Sequence, residues 1–337
     1  MKCVGNFLNG TEIVKAAENL MHDVHRTPLK QSKTINRLTG RQVFLKMENQ
    51  QRTGSFKLRG ALNKICSLTE EEASHGIVCA SAGNHAQGVA LAASERGISA
   101  KIFMPKKTPL AKVEATKSYG AEIKLTGETY QEAFTAASED MLANGSTFVH
   151  AFDDEKVMAG QGTIALEMMQ QCPDLEAIVV PVGGGGLISG IAVAAKTFHP
   201  QLKVIGVQSQ GAPATYNQFT GKNTSYMNQA KSIADGIVVK KPGKRTYPVI
   251  EQFVDEMVTV SDEEIAYAIM FMLEREKTLV EGAGAAAVAS LLCNKIDGQR
   301  NKVGCIVSGG NVDLSKIEHY RKLSHQFLDE KPLTSMS

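Results

Sequence analysis

Residues 177–190 read AIVVPVGGGGLISG: an unbroken apolar run, four consecutive glycines, then a stretch of helical period. The apolar run, AIVVPVG over 177–183, does not alternate, so both of its faces must be covered. That pattern belongs to a strand inside a parallel sheet with helices on either side. The glycines fall where this strand gives way to a helix over 186–198. Four in a row carry a large backbone-entropy cost and do not serve as filler. A bare backbone at a helix N-terminus lets an anion approach several N–H groups at once. Two nucleotide readings fail in detail. A P-loop closes with Lys followed by Ser or Thr, whereas Leu187 and Ile188 follow here. A dinucleotide fingerprint can be drawn through Gly184, Gly186 and Gly190, but the end of the next strand offers Gln208 in place of an acidic ribose ligand. A single phosphate group suits 181-PVGGGGLISG-190 best.

The same alternation extends along the chain. VFLKME (43–48), IVCAS (77–81), AKIFMP (100–105), EIKLT (122–126), TFVHA (147–151), KVIGVQS (203–209), MVTVS (257–261) and VGCIVSG (303–309) also read as strands. Helical period lies between them at 84–96, 109–118, 128–143, 157–171, 262–276 and 283–295. Strands alternating with helices imply crossover connections and parallel sheets, so the chain is α/β. At 337 residues it has room for about two domains of ~150 residues each. Residues 210–247, with QGAPATYNQFTGKNTS and KKPGKRTYP, hold the densest loop chemistry and read as functional rather than as a domain break.

Composition removes several function classes. Lys plus Arg (37) nearly cancels Asp plus Glu (35), leaving no basic footprint for nucleic acid or an anionic membrane. The absence of Trp opposes a base-stacking platform. No run approaches the ~18 consecutive apolar residues of a membrane span. Asn, Thr, Glu and Lys interrupt the N-terminal MKCVGNFLNGTEIVKAAENL before a signal-peptide core forms. Cys3, Cys66, Cys79, Cys172, Cys293 and Cys305 are scattered, with no CxxC pair. Reduced thiols in a cytoplasmic protein are therefore expected, not a disulfide framework or a zinc knuckle.

Three further segments join a glycine-bearing turn to polar side chains at a helix start. In 49-NQQRTGSFKLRGA-61, Gly54 supplies a turn, Ser55 an N-cap and Lys57 the first helical turn. The positive end of a helix dipole disfavours an ammonium there, which suits an amine that attacks a carbonyl as the free base. The plainer reading is a solvated lysine whose stem lies over Phe56. In 80-ASAGNHAQG-88 a strand ends in small residues, and Asn84 and His85 open a helix. Backbone N–H groups and short polar side chains suit a carboxylate at such a place; an ordinary turn capped by Asn84 is the alternative. In 305-CIVSGGNVD-313, Ser308 falls at the carboxyl end of its strand, where α/β sheets place ligand contacts, ahead of Asn311 and Asp313. The small residues of 281-EGAGAAAVAS-290 permit close packing, and Glu281 either complements the helix dipole or faces the site.

In this order and spacing the motifs resemble those of the fold-type II pyridoxal-phosphate enzymes of the threonine dehydratase and serine racemase group. The resemblance runs from HRTPL (25–29) through NVDLS (311–315). It implies two open, twisted, mostly parallel sheets flanked by helices. Pyridoxal 5'-phosphate would lie in the cleft between a large domain (1–52 with 153–337) and a small domain (53–152) inserted in it. By the same resemblance Lys57 forms the Schiff base, with Phe56 beside the cofactor, and Asn84 contacts the pyridine 3-oxygen. Gly183, Gly184, Gly185, Gly186 and Leu187 bind the phosphate, Ser308 faces the ring nitrogen, and Glu281 is a further cofactor contact. A hydroxyl opposite the ring nitrogen does not enforce protonation as an aspartate would, which suits eliminations needing little carbanion lifetime. Ser81, Asn84 and His85 are expected to hold the substrate carboxylate.

The reaction that the resemblance implies is removal of the α-proton and β-elimination of hydroxyl. It turns L-threonine into 2-oxobutanoate and ammonia, and L-serine into pyruvate. Racemases of the group place a second serine just before GNH, whereas this sequence has Ala82. Eukaryotic racemases also gather carboxylates for a divalent metal after the strand at 203–209, where Gln208 and Ala214 stand here. The dehydratase reading is therefore preferred and no metal is expected; serine racemase and 3-hydroxyaspartate dehydratase are the alternatives. After Asn311 there is room for one closing helix and a tail, so a C-terminal regulatory domain is not expected. The short catabolic dehydratases are the nearest likeness, with a small hydroxy amino acid as partner and a homodimer or homotetramer as assembly. From other classes, a nucleotide-dependent oxidoreductase is opposed by Gln208, and a catalytically silent binding protein by Lys57 standing among four cofactor-facing motifs.

Overall fold

The computed structural model describes residues 8–222, 226–227, 229–298 and 300–330. Cys3 and residues 331–337 of the tail lie outside them. Ten strands are present among the described residues: β1 Leu29–Gln31, β2 Gln42–Lys46, β3 Ile77–Ala80, β4 Ala100–Met104, β5 Glu122–Leu125, β6 Thr147–Phe148, β7 Ala177–Pro181, β8 Lys203–Ser209, β9 Glu256–Val260 and β10 Lys302–Ile306. They form a six-stranded sheet in the order β1-β2-β10-β7-β8-β9 and a four-stranded sheet in the order β5-β4-β3-β6. Every pairing is parallel except that of β1 with β2. The apolar runs behave as two-sided burial requires: all five residues of β7 and four of the five in β10 are buried.

The strand order places the motifs. β10 lies between β2 and β7 and runs parallel to both. The segments leaving the carboxyl ends of these three strands are therefore neighbours: 47–57 after β2, 307–311 after β10 and 182–187 after β7. Open α/β sheets take ligands at such an end, where connections diverge. Backbone bonds stitch the first two together: Asn49 N–H donates to Val307 O at 3.0 Å, Phe56 N–H to Ser308 O at 3.2 Å, and Gly310 N–H to Gly54 O at 2.9 Å. In the other sheet, β3 leads to Asn84 and its neighbour β6 leads to residues 149–154.

Helices pack tightly between the sheets because glycines let their backbones touch. A Cβ on Gly160 of the helix Glu155–Gln171 would lie 2.7 Å from Gly60 Cα in the helix Lys57–Cys66. One on Gly190 of the helix Gly186–Phe198 would lie 2.6 Å from Gly162 N. The Glu155 helix is thus clamped between the helices that carry Lys57 and the glycine loop.

The predicted strand over 147–151 is shorter in the fold. β6 holds only Thr147 and Phe148, and Val149 N–H makes one more bond, to Val78 O at 2.9 Å. His150 then turns the chain, its Nδ1 accepting from Phe152 N–H at 3.2 Å and Asp153 N–H at 2.9 Å.

Candidate active site

Lys57 is the first residue of its helix, as the sequence indicates. Ser55 does not cap it. The capping position is Phe56, without a side-chain bond, while Ser55 Oγ is buried with no partner among the described residues. The Lys57 side chain keeps partial exposure but lies deep among protein atoms, and burial draws its amine down to about 8. Its Nζ donates to Ala151 O at 2.9 Å and stands 5.3 Å from the centre of the Phe56 ring. A fraction of this lysine is therefore a free base near neutral pH, an activated amine held by a carbonyl.

Asn84 opens the helix Asn84–Glu95, but Gly83, not Asn84, is its cap. The Asn84 amide is instead held on both sides: Nδ2 donates to Glu281 Oε1 at 2.6 Å, and Oδ1 accepts from Asn311 Nδ2 at 2.8 Å. Asn311 also donates to Thr53 O at 2.8 Å, so it ties the start of one sheet's helix to the Lys57 segment. Glu281 occupies the capping position of the helix Gly282–Leu292 without capping it; its carboxyl turns to Asn84. Burial, reinforced by Asp235, pushes that carboxyl up to about 8, so it is largely protonated at neutral pH.

His85 is buried, with Nε2 at 2.9 Å from Val149 O. A carbonyl partner requires the ring proton on Nε2, which leaves Nδ1 an acceptor, and Nδ1 is buried without a partner among the described residues. Burial, with Lys57 nearby, draws the ring down to about 3, so it stays neutral. The ring thus offers no donor to a carboxylate; Ser81 and the N–H groups at the start of the Asn84 helix do. Ser81 Oγ already accepts from Gly83 N–H at 3.3 Å and keeps its own proton to give.

Gly185 has φ +95°, the left-handed conformation that glycine tolerates, and caps the Gly186 helix with no side-chain bond. Leu187 follows, buried. The glycines are dictated by the protein as well as by any anion: a Cβ on Gly184 would overlap the Phe152 ring, and one on Gly185 would lie 2.7 Å from Ile250 Cδ1. A Cβ on Gly183 would lie 3.0 Å from Ile237 Cα, and one on Gly186 2.9 Å from Phe152 O. Thr246 Oγ1 donates to Gly184 O at 2.6 Å and braces the loop from outside. Ser308 is buried at the end of β10, its Oγ donating to Ala283 O at 3.2 Å. Among the described residues no three or more His, Cys, Asp or Glu side chains gather as a metal site, and Gln208 Oε1 accepts from Tyr216 N–H at 2.8 Å.

A family profile of pyridoxal-phosphate dependent enzymes, PALP, matches residues 20–309. The chain belongs to the pyridoxal-phosphate dependent enzymes. It is 50% identical over 307 residues to an L-threonine ammonia-lyase of Thermotoga maritima, covering 91% of this chain and 76% of that protein. It is 43% identical to the catabolic L-threonine dehydratase TdcB of Escherichia coli K12, covering 91% and 94%. Among solved structures it is similar to maize serine racemase, with a TM-score of 0.87 at 35% identity, covering 95% of this chain and 99% of that one.

The donors present fit pyridoxal phosphate. A buried amine of depressed pKa suits its aldehyde, uncapped N–H groups at the Gly186 helix suit its phosphate, and the Ser308 hydroxyl, once its proton turns from Ala283 O, suits its ring nitrogen. The second N–H of Asn84 Nδ2 is left for the ring oxygen. The residues that sequence reasoning did not single out are Ala151, Phe152 and Asp153. Asp153 alone left a trace, as one of two aspartates before a helix, and it is the second, Asp154, that caps it.

Proposed function

We propose that this protein is an L-threonine ammonia-lyase, releasing 2-oxobutanoate and ammonia, and that it turns L-serine into pyruvate with the same residues. The observation that carries the reading is the buried Lys57 amine, drawn down to about 8, between the glycine loop's partner Phe152 and the Asn84 helix. The names of relatives at 43% to 50% identity supply the substrate.

Bound pyridoxal phosphate supplies a carbonyl that takes up an amino group and a sink for the electron pair left at Cα. Lys57, Asn84, Gly183 to Gly186, Leu187 and Ser308 are the residues assigned to hold it, with Glu281 fixing Asn84. The protein's own part is orientation and proton transfer. Ser81 and the N–H groups opening the Asn84 helix bind the substrate carboxylate and set the Cα–H bond toward Lys57. Lys57 Nζ takes that proton, and Ala151 O steadies the ammonium so formed. The β-hydroxyl departs as water, taking up the proton that Lys57 Nζ removed from Cα, and hydrolysis of the released enamine consumes one water and yields ammonia and the 2-oxo acid. Ala82 has no proton to give from the opposite face, which favours elimination over racemisation, the second reading that the likeness to serine racemase suggests.

The domains are read as 53–152 inserted between 1–52 and 153–337, supported by the strands of the smaller sheet all falling within 77–148. A cytoplasmic homodimer or homotetramer completes the reading, resting on the scattered cysteines with no CxxC pair and on the family resemblance. The test is a side-by-side assay of 2-oxobutanoate release from L-threonine and pyruvate release from L-serine by the cofactor-loaded protein. Release of neither product would remove the proposal.

A further inference from the structure

We propose that Arg59 is the positioning residue for Lys57: its own forked bonds to Glu48 and Glu167 grip the Lys57 helix from behind and set where the amine stands. This rests on Lys57 being the reactive amine. Two residues apart on a helix, the side chains point about 200° from one another, so Arg59 turns inward where Lys57 faces the cleft. Arg59 is fully buried and forks twice. Its Nε and one terminal nitrogen, Nη2, donate to Glu48 at 2.8 Å each. Nη1 donates to Glu167 Oε1 at 2.7 Å and Nη2 to Oε2 at 3.1 Å. Thr163 Oγ1 and His25 O accept at 3.2 Å. Lys46, also fully buried, donates to Glu167 at 2.6 Å and to Thr27 O at 2.7 Å.

Two cations and two carboxylates thus balance, and their owners are the end of β2, the Glu155 helix and the Lys57 helix. Buried ion pairs stabilise no better than well-packed apolar side chains of similar volume in many cases. What they add here is direction: two planar forks fix the helix in rotation and in translation. The Gly60–Gly160 backbone contact and the bond from Gly60 N–H to Gln161 Oε1 at 3.2 Å leave no slack beside them. A helix held in this way places Lys57 Nζ within reach of Ala151 O, which belongs to the segment packed on the glycine loop.

Arg59→Lys keeps the charge and loses the forks; Lys46→Met damages the same cluster without touching the Lys57 helix. For each variant, melting temperature, kcat and KM for L-threonine, and the rate at which added pyridoxal phosphate produces the visible band of lysine-linked cofactor are compared with the unsubstituted protein. Arg59→Lys is expected to slow band formation and lower kcat by about tenfold to a hundredfold, the scale of a misplacement of about 1 Å, with KM unchanged. Lys46→Met is expected to lower the melting temperature while band formation stays as it was. The proposal is overturned if Arg59→Lys forms the band at the unsubstituted rate, or if both variants slow it in proportion to their lost stability. Should Arg59→Lys not fold, Glu48→Gln, which weakens the same fork, carries the same expectation. Lys57→Ala separates the two claims: a band that survives it removes the reading of Lys57, whereas a lost band with an unaltered Arg59→Lys rate removes only the positioning.

Discussion

The Lys57 amine donates to the Ala151 carbonyl at 2.9 Å across 94 residues of sequence. The short segment around Ala151 reaches His85, Lys57 and the glycine loop in turn. Val149 O faces His85, Ala151 O holds Lys57, Phe152 packs on Gly184, and the Asp153 carboxylate accepts from the N–H groups of Lys244, Arg245 and Thr246 at 2.8 to 3.1 Å. A carbonyl is an acceptor for either protonation state of an amine, so Ala151 can hold Lys57 before and after it takes a proton.

The overlap that a Cβ on Gly184 would make with the Phe152 ring gives a prediction about coupling. Gly184→Ala should lower the melting temperature of the cofactor-free protein, and adding Phe152→Ala should recover part of that loss. The two should couple by about 0.5–3 kcal/mol in a double-mutant cycle, as contacting residues do. Strict additivity in denaturant melts would show that the ring is not what requires the glycine.

Thr246→Val tests the brace behind the loop. It keeps the shape but leaves the Gly184 carbonyl without its 2.6 Å donor, a loss of about 1–3 kcal/mol for a buried acceptor. Cofactor affinity, measured by titrating the apoprotein, should fall with it, while the spectrum of the loaded protein stays the same.

Glu281 predicts a pH dependence of stability. Its carboxyl is raised from the ordinary 4.5 to about 8 by burial first and Asp235 second. Between those values the folded protein holds a proton that the unfolded chain has lost, so this group's contribution is full below pH 4.5 and is lost as pH rises through 8. The neutral His85, drawn down to about 3, acts with opposite sign below its ordinary 6.5, so the two effects oppose one another between 4.5 and 6.5. Between pH 6.5 and 8, Glu281→Gln should flatten a fall whose slope cannot exceed about 1.4 kcal/mol per pH unit for one proton. Parallel stability curves for the two proteins over that interval would contradict the assignment.

Much of this was legible because burial writes itself into composition. β7 is apolar throughout and β10 is apolar after Lys302 since both faces are covered, and the glycine runs stand where the strands end. β1 was not legible: Leu29–Gln31 is three residues long, with two of the three exposed, and paired antiparallel at an edge, so no alternation or apolar run marks it. The capping role expected of Ser55 failed because Phe56 is already helical, which leaves the serine one position too early. Glu281 had two readings, and only the geometry of Asn84 separates them. The Phe152 contact joins residues far apart in sequence, and nothing local announces it.

Ala82 predicts the product. Racemisation needs a proton delivered to the second face, so L-serine should give pyruvate with negligible D-serine. Ala82→Ser should raise the D-serine yield, modestly, because a general acid or base contributes ~10²–10⁴ only when pKa and placement are both tuned. Chiral chromatography of both reaction mixtures decides it; D-serine formed by the unsubstituted protein as fast as pyruvate would mean another residue serves that face.

The most direct measurement is borohydride reduction of the pyridoxal-phosphate-loaded protein followed by peptide mapping. The amine that carries the chemistry becomes permanently joined to the cofactor, whatever the substrate. A single modified peptide, the one containing Lys57, is expected, and none from Lys57→Ala. Modification at another lysine, or unchanged labelling of the Lys57→Ala protein, would contradict it.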